Sequence, residues 1–241
     1  MALVSCNDFL DLKPQGQENS GNYMNTEENA IKVINGIYDI LSQTEGRGPD
    51  DIWMSHHYDF FLASIATDDA VKGSNLPDMP ELALIEDFSA QTGNSIAEAF
   101  WIHGFWGVSR CNYAIKNLPD ATISESMKSR LLGESYFLRA YYYIYLLHHF
   151  GGVPLFSAPL NPSEFGKVGR SSIHDTFEFI NTDLNKAIEL LPERSEYAST
   201  DMGRATKGAA KAFLAKSLMY QIGIDTENAH TWQEVDRKSV V

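Results

Sequence analysis

Residues Thr122 to Leu155, TISESMKSRLLGESYFLRAYYYIYLLHHFGGVPL, form the stretch that decides the fold. Their spacing predicts one long helix from Ser124 to Phe150, about 40 Å in length. Apolar side chains nearly encircle this helix, and a helix of that kind is normally buried between neighbours. Glu134 and Arg139 interrupt the apolar surface, so we expect each of them to be paired or to lie at a seam between helices.

Both ends of this helix carry sequence signals. Thr122, with Glu125 three residues later, predicts a capping box, in which each side chain accepts a hydrogen bond from a free backbone N–H. Gly151-Gly152 predicts the end of the helix, because glycine adopts a left-handed conformation at low steric cost. Pro154 then prevents the helix from resuming.

Composition limits the classes of partner. The 241 residues include 32 Asp and Glu against 19 Lys and Arg, which gives a formal net charge of −13. This excess repels nucleic acid and anionic lipid headgroups, so we expect no nucleic-acid partner. A hydrophobic content of 44% is typical of a folded globular protein. The longest apolar runs are too short for a membrane-spanning helix.

The amino terminus has the form of a lipoprotein processing site. In Leu3-Val4-Ser5-Cys6, small residues precede a cysteine, as in a bacterial lipobox. We predict that Cys6 is lipidated, that residues 1–25 form an anchor and tether, and that residues 26–241 form the helical domain. The charged and apolar parts of a signal peptide are missing before Cys6, so we expect the chain to be cut there. The alternative is a chance cysteine near a mobile end.

Helical spacing recurs along the rest of the chain. The predicted helices are Thr26–Ser42, Trp53–Ala66, Ile96–Leu118, Ile173–Leu191, Gly203–Ile222 and a last one from Trp232, inside which the sequence ends. Short turns separate several of them, which favours antiparallel hairpins packed side by side. We predict an all-α fold of tetratricopeptide-like helical hairpins, stacked in a right-handed solenoid with long irregular loops. The incomplete last helix predicts a domain truncated at its carboxy end.

Two regions could carry a binding site. Ala70 to Asn94 contains Gly, Pro, Asn and Asp without sustained periodicity, and a loop of this length is usually functional or disordered. An equally weighted alternative is that these residues form a solvated surface loop without a binding role. Trp101 and Trp106 are candidate sugar platforms, but they lie roughly 140° apart around their helix. We therefore interpret both as core residues.

Patterns typical of catalysis or metal binding are absent from the sequence. It has no Gly-Xaa-Ser-Xaa-Gly elbow, no phosphate-binding loop and no dinucleotide fingerprint. His56-His57 and His148-His149 are adjacent pairs, which point in different directions on a helix instead of converging on one ion. Cys111 lies in an apolar segment and is interpreted as a small buried hydrophobe. We predict that the protein is not an enzyme and that it uses no cofactor or metal.

Five stretches resemble the SusD/RagB family of surface lipoproteins. They are CNDFLDLKPQ (6–15), WGVSRCNYAIKNLP (106–119), GESYFLRAYYYIYLLHHFGGVPL (133–155), RSSIHDTFEFINTDLNKAIELLP (170–192) and GRATKGAAKAFLAKSLMY (203–220). Their order and spacing agree with the amino-terminal portion of the family, so the resemblance is specific and covers most of the chain. Family members continue beyond this point, and their carboxy-terminal half supplies much of the ligand surface.

The resemblance implies a function. Composition and helical periodicity are compatible with that function but do not indicate it by themselves. Family members bind glycans, or sometimes peptides, beside a TonB-dependent transporter. We therefore expect a surface-exposed, lipid-anchored protein of the cell outer membrane that captures an oligosaccharide or polysaccharide ligand and passes it to a SusC-like TonB-dependent transporter. The family places part of its ligand site at Asp68, Asp69 and the loop after them, so the candidate ligand residues are Asp68, Asp69, Asn75 and Phe88. Aromatic faces stack on sugar rings, and carboxylates and amides bond sugar hydroxyls.

Two alternatives stay open. A helical stack can serve as a non-glycan scaffold that binds a protein or peptide partner. Thr67-Asp68-Asp69 can equally be a turn at the end of a helix, because these residue types favour such turns.

Overall fold

The computed structural model describes residues 22–42, 63–75, 77–164 and 166–239. In this part the α-helices are, in chain order, α1 (Glu27–Ser42), α2 (Pro80–Glu86), α3 (Ser95–Asn117), α4 (Glu125–Phe150), α5 (Ile173–Leu190), α6 (Lys207–Ile224) and α7 (Trp232–Ser239). Residues 63–65 are also helical. Residues 53–62 of the predicted second helix lie outside the described ranges, as do Cys6 and most of the predicted tether.

Helix α4 is the centre of the fold, as its encircling apolar surface predicts. It packs most extensively against α3 and α5, while α6 packs on α5, α7 packs on α6, and α1 contacts both α3 and α4. No strand occurs within the described ranges, so the predicted all-α fold of stacked helical hairpins is confirmed. None of the helices described there is long and apolar enough to cross a bilayer.

Two glycines let α3 approach α4 closely. A Cβ atom placed on Gly104 would lie 2.6 Å from the Leu146 side chain, and one on Gly107 would lie 2.5 Å from the Tyr142 ring. The Tyr142 hydroxyl donates a 2.8 Å hydrogen bond to the Ile37 carbonyl of α1. Tyr142, only 1% exposed, therefore joins three helices.

The predicted capping box at the start of α4 is wrong. Ser124, not Thr122, is the N-cap residue, and its side chain accepts no capping hydrogen bond. The Ser124 hydroxyl instead donates to Glu27 Oε1 at 2.5 Å, and Thr122 N donates to Asn25 Oδ1 at 3.2 Å. Both residues thus contact the chain at the start of α1 instead of capping α4. The predicted end is confirmed, because α4 stops at Gly151, whose φ is 70°.

Side-chain caps set the starts of α3, α5 and α6. Asn94 and Ser172 cap α3 and α5 by accepting hydrogen bonds from backbone N–H groups of the first turn. Helix α6 differs from the prediction, because it begins at Lys207 and not at Gly203. The reason is Thr206, whose hydroxyl accepts from Ala209 N at 3.2 Å and so sets the first turn.

The two polar interruptions of α4 are paired, as predicted. Arg139, 3% exposed, donates hydrogen bonds of 2.6 and 2.8 Å to the carboxylate of Asp183 on α5. Glu134, fully buried, accepts a 3.0 Å hydrogen bond from Arg204 and lies 3.4 Å from Arg130 Nε. Burial raises the pKa of the Asp183 and Glu134 carboxyls. Each carboxylate therefore depends on its arginine to stay charged.

We expect Gly107→Ala to lower the free energy of unfolding by about 1–3 kcal/mol, because the added methyl group would overlap the Tyr142 ring. Gly223→Ala is the matched control, since it also lies in a helix but its Cβ would meet nothing within 4 Å. That change should stabilise α6 by about 0.5–1 kcal/mol. Urea unfolding measures both variants, and equal effects would contradict the close approach of α3 and α4.

We expect Arg139→Leu to lower the free energy of unfolding by about 3–5 kcal/mol, because Asp183 would stay buried without its partner. The double variant Arg139→Leu/Asp183→Leu should recover most of that loss, since two apolar side chains then replace the ion pair.

Lys32→Leu controls for ion pairing in general. Lys32 lies 2.7 Å from Glu28, but the two side chains are 54% and 78% exposed, so its removal should change the free energy of unfolding by less than about 1 kcal/mol. A loss for Arg139→Leu no larger than that for Lys32→Leu would contradict our assignment.

Candidate functional site

A strained segment lies where α3 begins and α4 ends. We call residues 67–94, apart from residue 76, the 67–94 segment. Ser74, Met79 and Phe88 have φ angles of 58°, 47° and 54°, and across the described ranges no other non-glycine residue has a positive φ. Such a conformation costs roughly 1 kcal/mol or more. Residues of this kind cluster at ligand clamps and other functional sites, so their grouping here marks the segment as a candidate site.

Helix α2 lies inside the segment, where the sequence predicts a continuous loop. It begins with Pro80 and has only 7 residues, too few to show a helical period of apolar side chains. Leu82 anchors it in a small apolar core that the segment shares with α3 and α4. The buried members of this core are Ile65, Leu82, Ile96, Ala99, Phe100 and Tyr145.

Hydrogen bonds hold the turns of the segment in place. The Asn94 side chain accepts from Ile96 N at 3.1 Å and donates to the Glu81 carbonyl at 3.1 Å, so it ties α2 to the start of α3. Lys72 N donates to Glu86 Oε2 at 3.1 Å, which ties the chain before α2 to the end of that helix. The segment is therefore fixed at both sides of α2.

Phe88 is the most exposed large apolar side chain in the described ranges, at 81%. It is the second residue after α2, within a turn that is closed by a 2.8 Å hydrogen bond from Ser89 N to the Leu84 carbonyl. Glycine is the usual residue in a left-handed position after a helix, so a phenylalanine there is strained and is also held in solvent. An aromatic face presented in this way can stack on the apolar face of a ring-shaped ligand.

The other predicted ligand residues are exposed as well. Asp68 and Asp69 lie in the turn that follows residues 63–65. The Thr67 hydroxyl accepts from Asp69 N at 3.2 Å, so the backbone there is a helix-end turn. The Asn75 carbonyl accepts from Lys72 Nζ at 3.2 Å, which places Asn75 beside the chain that is bonded to the end of α2. A ligand-binding role for these residues stays a prediction.

An apolar cavity of about 390 Å³ is a second candidate site. It lies between α3 and residues 154–168, which, apart from residue 165, we call the 154–168 strap. Its apolar lining includes Trp101, Phe105, Val108, Phe156, Leu160 and Val168. The sequence shows only scattered apolar residues in a Pro/Ser/Gly-rich stretch here, so it does not predict a cavity.

The two tryptophans of α3 differ in environment. Trp101 packs against the core and also lines the cavity. Trp106 is 38% exposed, so the interpretation of both as core residues is wrong for Trp106. The roughly 140° between them explains the difference, because only one can face the strap.

Neither candidate site contains a described cluster of metal-ligand side chains. Within the described ranges, no group of three or more His, Cys, Asp and Glu side chains is placed to hold a metal ion. Burial clearly raises the pKa of Asp183, Glu134 and Tyr142, and all three residues lie in the helical core. What the two sites offer is aromatic stacking, apolar contact and hydrogen bonding.

Comparison with known proteins identifies the family. A model of SusD-like proteins, described as starch-binding and associating with the outer membrane, matches residues 8–219. SusD-like protein P2 of Formosa agariphila is 27% identical over 218 residues, which cover 89% of this chain and 40% of that protein.

Solved structures agree with this match. A laminarin-binding SusD-like protein is 30% identical in sequence and superposes with a TM-score of 0.71. The matched region covers 83% of this chain and 41% of that protein. A SusD-like protein from Bacteroides fragilis NCTC 9343 is 28% identical in sequence and superposes with a TM-score of 0.70. The matched region covers 85% of this chain and 36% of that protein. The chain thus spans about two fifths of the length of these relatives. Because sequence and fold agree over most of the chain, as the five resembling stretches predicted, it belongs to the SusD-like family.

Proposed function

We propose that this protein captures oligosaccharides at the cell surface and delivers them to a TonB-dependent outer-membrane transporter. The observation that carries the proposal is the family match over residues 8–219, whose description names starch binding and the outer membrane. A solved relative at 30% identity is described as laminarin-binding. Both relationships favour a glycan ligand over a peptide.

The geometry of the 67–94 segment supports a binding role. It combines an aromatic side chain that is 81% exposed with a backbone fixed by internal hydrogen bonds. Phe88 would stack on the C–H face of a sugar ring, while the exposed Asp68, Asp69 and Asn75 side chains would bond hydroxyl groups. Binding of this kind needs no reacting group, so in our proposal the glycan is held intact and not cleaved.

The proposed location and partner follow from the same family match. Cys6 would carry the lipid that anchors the protein in the outer membrane, with the following residues as a tether. A SusC-like TonB-dependent transporter would receive the glycan. Transfer requires that the glycan be released again, which suits a single stacking platform better than an enclosed pocket.

We expect Phe88→Ala to weaken glycan binding by about tenfold or more, equivalent to roughly 1.4 kcal/mol, because the sugar ring would lose its stacking surface. Isothermal titration against a panel of soluble α- and β-glucans, with starch oligosaccharides and laminarin included, measures the change. Val71→Ala is the matched control, since Val71 is 75% exposed in the same segment and should bind as the unaltered chain does.

Three outcomes would contradict the proposal. Equal affinities of the Phe88→Ala and Val71→Ala variants would remove the role of Phe88. Steady release of shortened sugars would indicate an enzyme. Absence of binding to every glycan, together with co-purification of a protein partner, would favour the scaffold function.

A further inference from the structure

Buried side chains hold the strap that walls the apolar cavity. Asn112 Nδ2 donates to the carbonyls of Phe156 and Ala158 at 2.9 and 3.3 Å. Arg139 donates to the intervening carbonyl of Ser157 at 3.1 Å. Three successive residues of the strap are thus fixed from the interior of the stack. A wall that is already ordered lowers the entropic cost of binding a ligand.

The same network occupies the side-chain amide of Asn112, which lines the cavity. Asn112 Oδ1 accepts a 2.7 Å hydrogen bond from Arg139, and Phe156 N donates to the Tyr143 hydroxyl at 2.7 Å. Besides Asn112, the described lining residues supply two polar side-chain groups, the Ser109 hydroxyl and the Trp101 indole N–H, and none of these residues is charged. A sugar here would find few partners for its hydroxyls, and each buried hydroxyl left without a partner costs about 1–3 kcal/mol. The lining therefore disfavours a glycan and any ion.

The size and surface of the cavity suit an aromatic compound. The ring of Phe105 lies 4.8 Å from that of Trp101 and 5.6 Å from that of Phe156, centroid to centroid, so aromatic surface surrounds much of the space. An apolar cavity of about 150 Å³ is large enough for benzene. At about 390 Å³ this one has room for two or three rings, within the usual range for small-molecule sites.

We propose that the cavity between α3 and the 154–168 strap binds a small, uncharged, apolar compound of two or three rings. The site is separate from the 67–94 segment and does not rest on the proposed glycan binding. Its specificity comes from aromatic contact and from the small number of polar side chains in the described lining.

Fluorescence titration with phenylnaphthylamine, a neutral three-ring dye, tests this site. The unaltered chain should bind one dye molecule per chain in a saturable way. Ala158→Trp should weaken dye binding by about tenfold or more, because the indole fills the space. Val168→Asp should do the same by placing a charge beside an apolar ligand. Val71→Trp and Val71→Asp are the matched controls, at a position that is 75% exposed away from the cavity.

Each other result overturns the proposal. Absence of saturable dye binding by the unaltered chain would show that the cavity takes no such compound. Unchanged affinity in both cavity variants would place the dye elsewhere, for example on the exposed apolar side chains of Met219, Tyr220 and Ile224 on α6. Displacement of the dye by a glucan oligosaccharide would make the cavity a sugar site. Circular dichroism checks folding, and Val168→Asp, at a position 40% exposed, decides the question if Ala158→Trp fails to fold.

Discussion

The structure depends on the ion pair that α4 and α5 bury between them. Arg139 binds Asp183 through two nitrogens and also contacts Asn112 of α3 and the carbonyl of Ser157. A buried charge without a partner is expensive, so these helices can pack only in the arrangement that brings all four groups together. We interpret the ion pair as a constraint that selects this arrangement of helices and not as a source of net stability. Apolar residues of similar volume often stabilise a core at least as much as a buried ion pair does.

The scaffold and the candidate glycan site occupy different parts of the molecule. Tyrosines of α4 such as Tyr142, Tyr143 and Tyr145 are at most 6% exposed, so they are packing residues and not a sugar platform. Phe88 is the opposite case, because it is an aromatic side chain held outside any core by a strained backbone. A rigid helical stack that carries a mobile or strained binding loop is a common division of roles in proteins.

How far the sequence could predict this structure depended on the range of each interaction. Most helix positions and the stop at Gly151 depend on local chemistry, and they were predicted. The cap at Thr122 failed because Asn25 and Glu27, far away in sequence, take over the contacts. The left-handed φ of Phe88 and the cavity were also beyond local patterns. The first depends on how α2 ends, and the second on how the 154–168 strap folds back on α3.

The hydrogen bond between Tyr142 and Ile37 has a consequence for the order of folding. It joins residues 105 positions apart, whereas the contacts of α4 with α3 and α5 close much shorter loops. Loop closure costs more entropy as the loop grows, although the increase is slow. We therefore expect contacts that are local in sequence to form early and α1 to dock last on the other helices. In this scheme α1 is the last piece of the core to close, and Tyr142 is the group that receives it.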